Sequence, residues 1–246
     1  MHGGKCMPEE GRLIAVEGPS AAGKTTLVRR AARSLGWCVL GEAFDRLDPV
    51  PSLEYGSSQQ LRLLEGKLLA EEARRYREAR RQCARGYTVL ADTGFLGPIT
   101  YTRGLVALDL APTSVARSLE RKARSLLQRG VLGIPDLTVY LDLSTNERRR
   151  RARADPDRHP LALFRRHTTV GRLERAYYVT TFAAALPDRF RTLSGRREPR
   201  TLVASLRAVV REVAPTPSTR AEALLLLSSL GPLPRAVRNA GGSPNR

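Results

Sequence analysis

Gly18 and Gly23 enclose Pro19-Ser20-Ala21-Ala22 and are followed at once by Lys24 and Thr25. That is the spacing of a phosphate-binding loop, and each residue type in it has a physical reason. The glycines let the backbone turn tightly enough for successive N–H groups to face one phosphate. Lys24 brings a mobile positive charge to the outer phosphates, and the Thr25 hydroxyl is placed to ligate Mg²⁺. A helix starting at Lys24 aims the positive end of its dipole at the same anion. An apolar strand before the loop and a helix after it supply the context that an incidental glycine-rich turn lacks. The expected ligands are therefore ATP and Mg²⁺, cradled by Gly18, Ser20, Ala21, Ala22, Gly23, Lys24, Thr25 and Thr26.

The elements that must position this loop follow from the apolar pattern. Short apolar runs at Arg12–Val16, Trp37–Leu40, Tyr87–Ala91, Leu137–Asp142 and Arg191–Leu193 read as strands. Helices are expected over Leu27–Leu35, Ser57–Arg85, Thr113–Arg129, Pro160–Leu186 and Arg200–Val213. The longest carries Leu61, Leu64, Leu68, Ala73, Tyr76, Ala79 and Cys83 at steps of three and four, and Gly86 ends it. Gly41–Ser58 reads as a loop. Apolar strands alternating with helices imply a parallel sheet covered on both faces.

Three regions are expected. Residues 1–11 form a flexible N-terminus without an apolar core, so no signal peptide is read there. Residues 12–213 form the domain. Residues 214–246, rich in Pro, Ser, Thr and Gly, form a partly disordered tail around one short helix at Ala221–Leu230 that docks on the domain.

Two carboxylates close strands beside the loop, where doubly wound sheets place their ligands: Glu42 after the second and Asp92 after the third. Asp92 is placed to bind Mg²⁺ or to act as a base. A base is useful when the acceptor is a hydroxyl; an acceptor phosphate, already ionised, needs only positioning. A helix cap or a loop ion pair is the plain alternative for both carboxylates.

Beyond the loop itself, the chain resembles the thymidylate kinase branch of the nucleoside and nucleotide kinases. The likeness rests on Val16-Glu17-Gly18 and Gly23-Lys24-Thr25-Thr26-Leu27, on Asp92 with Tyr101 nine residues later, and on Arg103-Gly104. Tyr140-Leu141-Asp142 leading into Glu147, Arg148–Arg151, Arg153 and Asp157-Arg158 is similar to that family's lid, and Pro187-Asp188-Arg189-Phe190 to its ending. The resemblance implies a five-stranded parallel α/β fold with an arginine-rich lid over about 146–160. It also implies a small-molecule kinase transferring the γ-phosphoryl of ATP to a nucleoside- or nucleotide-like acceptor. Arg151 and Arg153 best match the lid positions that supply charge to the transition state, with a solvated helix face as the alternative. Glu42 stands where deoxynucleoside kinases carry the glutamate that takes an acceptor proton. Phe44, Arg46, Arg74, Arg75, Tyr101 and Arg103 are the acceptor-site candidates, against ordinary surface or core roles. A homodimer through helices beside the long helix is implied too.

The departures fall on the acceptor half. Thr93, Gly94 and Thr102 replace the family's Arg, Tyr and Gln, and Pro98 alters the loop. An O-phosphotransferase acting on a hydroxyl of an antibiotic or other specialised metabolite is the second expectation.

The 246 residues carry a formal charge of +18, but 38 of the 42 basic residues are arginine, a GC-rich usage that scatters them over helix surfaces. Aromatics make up only 5%, with no basic stripe interleaved with stacking rings, so nucleic acid is not the expected partner. A nucleic-acid-associated ATPase is the reading of another class that such a charge keeps open. The longest apolar stretch of the tail, Ala223–Leu227, is far below the roughly 18–20 residues of a membrane span, so no membrane is expected. Cys6, Cys38 and Cys83 cannot all pair and have no metal-ligand spacing, which points to a reducing, cytoplasmic setting. His2, His159 and His167 form no zinc pattern.

Overall fold

The computed structural model describes residues 11–49, 56–154, 161–213 and 216–233, with the backbone alone over 161–168. Five parallel strands run in the order β2-β3-β1-β4-β5. They are β1 (Leu13–Glu17), β2 (Cys38–Leu40), β3 (Val89–Asp92), β4 (Leu137–Asp142) and β5 (Phe190–Ser194). In register, Val16 lies beside Asp92 on one side and Val139 on the other, so β1, β3 and β4 end together. Every β1 residue is buried, as expected of a strand covered on both faces.

One face carries α1 (Lys24–Leu35) and α8 (Pro199–Glu212). Leu27, Val28 and Ala31 of α1 and Leu202, Leu206 and Val210 of α8 close one core against Ile14, Val16, Val139 and Leu141. The other face carries α2 (Ser58–Cys83), α3 (Leu96–Ala107), α4 (Thr113–Gln128) and α9 (Arg220–Ser228), which meet around Leu69, Ile99, Leu127, Tyr140 and Leu226. Val139 and Tyr140 fall in opposite cores, following the two-residue period of a strand.

The observed ends lie within two or three residues of most expected ones, and the differences have reasons. The segment after Asp92, expected as an acceptor loop, is the helix α3. Nearly all of its residues are buried, so it lacks the polar stripe that marks a helix in sequence. Pro98 sits in its first turn, where a missing N–H costs nothing. Gly104 permits its contact with the helix that carries Val170: a Cβ there would lie 2.7 Å from Val170 Cγ1.

The Gly41–Ser58 loop holds a 3₁₀ turn, Phe44–Arg46. The helix expected over Pro160–Leu186 is α6 (Leu161–Ala176), then a π-helical segment Tyr177–Phe182 and a short α7 (Ala183–Ala185). The arginine-rich helix α5 (Thr145–Ala154) covers the described part of the segment expected as a lid; residues 155–160 lie outside the described residues.

α9 opens with a capping box between Thr219 and Glu222, and Glu222 also accepts from Arg189 at 3.0 Å. Among the described residues no helix is long and apolar enough to cross a membrane. Cys38 and Cys83 are free thiols, and Cys6 lies outside the described residues.

Candidate active site

The phosphate loop joins β1 to α1 through backbone conformations that glycine adopts freely. Gly18 has φ +141° and Gly23 φ +97°, and a Cβ at Gly18 would lie 2.8 Å from the Leu141 carbonyl oxygen. Ala21 adopts φ +62° without being glycine, a strained conformation of the kind concentrated at ligand sites. Lys24 Nζ donates to the carbonyls of Gly18 (2.9 Å) and Pro19 (3.4 Å), holding the ammonium over the loop. Thr25 stands in the first turn of α1, and Thr26 beside it is exposed.

α5 reaches the loop through two arginines. Arg148 Nε donates to Ser20 O at 2.9 Å, and Arg151 Nη1 to Ala22 O at 3.1 Å. Arg151 also donates to Gly195 O (2.8 Å) and Glu147 (3.2 Å). Residues three apart share a helix face; residues two apart do not. Arg148 therefore joins Arg151 at the loop, whereas Arg153 is exposed on another side of α5.

Opposite the loop stand Glu42 and Asp92. Asp92 is 2% exposed, and its Oδ1 is buried without a hydrogen-bond partner among the described residues. Thr93 after it is β-branched with φ +64°, a second strained position at the strand ends. Burial pushes the Glu42 carboxyl up; Lys24 and Arg75 oppose this while Asp92 and Asp45 add to it. Lys24, Arg75, Asp92 and Glu42 thus share one electrostatic neighbourhood.

The acceptor-site candidates divide sharply. Arg75 is 2% exposed: it pairs with Glu72 and donates to the carbonyls of Leu40 (3.3 Å), Asp92 (2.9 Å) and Thr93 (3.3 Å), tying β2 to β3, while its Nε has no partner among the described residues. Arg74 has a side chain 72% exposed and pairs with Glu71 at 3.3 Å. Arg46 pairs with Glu71 (3.1 Å) and Glu78 (2.8 Å). Arg103 points the other way: it pairs with Glu120 at 2.5 Å and donates to the carbonyls of Leu230, Gly231 and Pro232, fastening the segment after α9. Phe44 is half-buried in its 3₁₀ turn, and Tyr101 packs beside Leu61, Leu105 and Val170.

Sequence reasoning missed a set of buried carboxylates beside the strand ends. Glu17 ends β1, Glu65 and Glu72 lie one above the other on α2, and Glu174 on α6 accepts from the Thr100 hydroxyl at 3.2 Å. Burial pushes Glu17 and Glu65 up to about 8 and Glu72 to about 7. Lys24 and the Tyr178 hydroxyl, turned toward Glu17 by the π-helical segment, oppose the rise at Glu17. The available signal was the seven-residue step from Glu65 to Glu72, which keeps both on the helix face beside the sheet.

Among the described residues no three His, Cys, Asp or Glu side chains converge as a metal cage. Mg²⁺ delivered with a triphosphate needs fewer protein ligands, because phosphates and water fill most of its octahedron. The Thr25 hydroxyl and the unpartnered Asp92 Oδ1 fit that requirement.

This architecture defines a class: a parallel α/β fold with a phosphate loop, as in the nucleoside kinases. Deoxyadenosine kinase from M. mycoides with bound dATP superimposes with a TM-score of 0.60 over 81% of this chain and 99% of its own, at 15% identity. The same kinase with bound dCTP gives 0.56 over 82% and 100%, at 16% identity. At that identity the likeness is one of fold. No protein-family model and no curated protein matches the sequence.

Proposed function

We propose that this protein is an ATP-dependent phosphotransferase whose acceptor is a hydroxyl of a small, nucleoside-like molecule or specialised metabolite. The observation that carries this reading is the contrast between the two halves of the site. The donor half has a complete phosphate loop with Lys24 and two lid arginines at hand. The acceptor half presents carboxylates, while Arg46, Arg75 and Arg103 are committed to internal partners. A thymidylate-type acceptor phosphate held by Arg46, Arg75 or Arg103 would need that arginine released, at the cost of an unpaired carboxylate or open carbonyls, whereas Arg74 is exposed and pairs with Glu71.

In this mechanism the acceptor oxygen attacks the γ-phosphorus in line. The bond from that phosphorus to the β–γ bridging oxygen breaks, and ADP leaves with the electron pair. The acceptor proton passes to the Glu42 carboxylate, which burial makes more basic than usual. Lys24 and the loop N–H groups hold the β- and γ-phosphates, and Arg148 and Arg151 bring charge to the transferring group. When bound, Mg²⁺ neutralises charge on the phosphates, with Thr25 and Asp92 as its protein ligands. Closure of α5 over the loop excludes water and limits idle hydrolysis.

The test is ADP release from Mg²⁺–ATP across nucleosides, nucleoside monophosphates and aminated polyols. Stimulation by hydroxyl acceptors alone is expected. Release that no acceptor raises above the water rate would refute the kinase.

A further inference from the structure

Glu65 and Glu174 each stand one helical turn after Leu61 and Val170, which share one packed cluster between α2 and α6, and Glu174 accepts from the Thr100 hydroxyl. Glu174 raises Glu65; Glu174 and Glu72 raise Glu17; Glu42 raises Glu72; Asp92 raises Glu42. Six of the chain's 24 acidic residues therefore lie within one another's field in a molecule that is otherwise strongly basic. The cations in that field are Lys24, Arg75 and Arg148. Lys24 is bonded to loop carbonyls, Arg75 to Glu72 and three carbonyls, and Arg148 to Ser20 O.

Two further atoms point to a ligand independently of that count. Glu65 is 2% exposed, yet its Oε2 has no hydrogen-bond partner among the described residues. Tyr140, wholly buried on β4, has an unpartnered hydroxyl within the field of Glu174. A buried carboxylate oxygen with no donor is costly unless a ligand supplies one. An isolated orphan fits many ligands, but an orphan flanked by further carboxylates fits a donor with positive charge.

We infer that the acceptor carries, beside its reacting hydroxyl, at least one ammonium group seated on Glu65 and Glu174. The acceptor class is then an amine-bearing polyol, either an aminocyclitol or an aminonucleoside. The geometry divides the work among the carboxylates. Glu42 and Asp92, at the strand ends, face the transferring phosphoryl; Glu65 and Glu174, on α2 and α6, hold the far end of the acceptor. An ammonium there favours the ionised form of Glu65, which burial otherwise pushes up to about 8, and makes charge-assisted hydrogen bonds to it. This inference rests on the phosphotransferase reading for the hydroxyl but not for the amine, so binding and turnover separate the two.

The experiment is calorimetric titration of the ADP–Mg²⁺ complex with 2-deoxystreptamine and with 3′-amino-3′-deoxyadenosine. Each is compared with its N-acetylated form, and the nucleoside also with adenosine. Expected is binding of one amine at least about 10-fold tighter than its neutral counterpart. The arm that shows it assigns the cyclitol or the nucleoside source. Glu65→Gln is nearly isosteric and should keep the fold; it is expected to abolish the amine preference. Glu174→Gln provides an independent second variant, with melting temperature as the check on folding. Equal affinity for amine and neutral probes, or a preference that survives both variants, overturns the inference. Adenosine-driven ADP release without amine preference would sink the amine site and keep the kinase. Amine binding lost in Glu65→Gln, without any ADP release, would keep the site and sink the kinase.

Discussion

In the proposed reaction Lys24 and Glu42 divide the chemistry between donor and acceptor, and their substitutions should fail differently. Lys24→Ala removes the ammonium bonded to the loop carbonyls of Gly18 and Pro19. It is expected to lower transfer by at least about 10³-fold with folding intact, read by initial-rate ADP release. Retained activity would contradict the donor-site assignment. Glu42→Gln should cost about 10²–10⁴-fold with a hydroxyl acceptor and little with a phosphate acceptor. Asp92→Asn should instead raise the Mg²⁺ concentration needed for half-maximal rate. A variant pair with identical metal and acceptor profiles would show that the two carboxylates do not divide these roles. The loop, Glu42 and Asp92 could be read from sequence because each depends on a motif or on the end of an apolar strand. Glu65, Glu72 and Glu174 could not. Glutamates on helices ordinarily mark solvated faces, and only packing against the sheet shows that these are enclosed.

At the scale of elements, α3 decides how the acceptor half is built. It fills the place where a substrate loop was expected, sends Thr100 toward Glu174, and sends Arg103 away toward α9. Gly104 is the contact that lets it lie against α6, and Gly104→Ala forces a Cβ to 2.7 Å from Val170. Overpacking of this kind should destabilise by about 1–3 kcal/mol and lower the melting temperature by several degrees. An unchanged melting temperature would mean that the interface is looser than this packing requires. The strands and the amphipathic helices were legible because burial on one face leaves a period. α3 was not, because a helix buried on nearly every side leaves none, and its Gly97, Pro98 and Gly104 resemble loop punctuation. The π-helical segment was hidden for a related reason: Tyr177–Phe182 reads as ordinary helix until Tyr178 is seen against Tyr140, ring centroids 5.3 Å apart.

The whole molecule combines a net charge of +18 with buried carboxylates, and this has a consequence for stability. Glu17 and Glu65 are held near 8 and Glu72 near 7, against an ordinary value of 4.5. The folded chain therefore binds more protons than the unfolded chain between those limits. Stability contributed by these groups is complete below the ordinary value and is lost as pH rises through the folded values. The melting temperature of the ligand-free protein should fall from about pH 5 to about pH 8, and Glu65→Gln should flatten that fall. A melting temperature that rises across the window would contradict the burial of these carboxylates.

The central claim is that phosphate goes to a hydroxyl. It is tested most directly by mass spectrometry and ³¹P NMR of the product formed from Mg²⁺–ATP and a mixture of nucleosides, nucleoside monophosphates and aminated polyols. The account predicts a phosphomonoester on a hydroxyl-bearing acceptor, with the monophosphates unchanged. Nucleoside diphosphates as the sole products would contradict it and place the acceptor site with the nucleotide kinases.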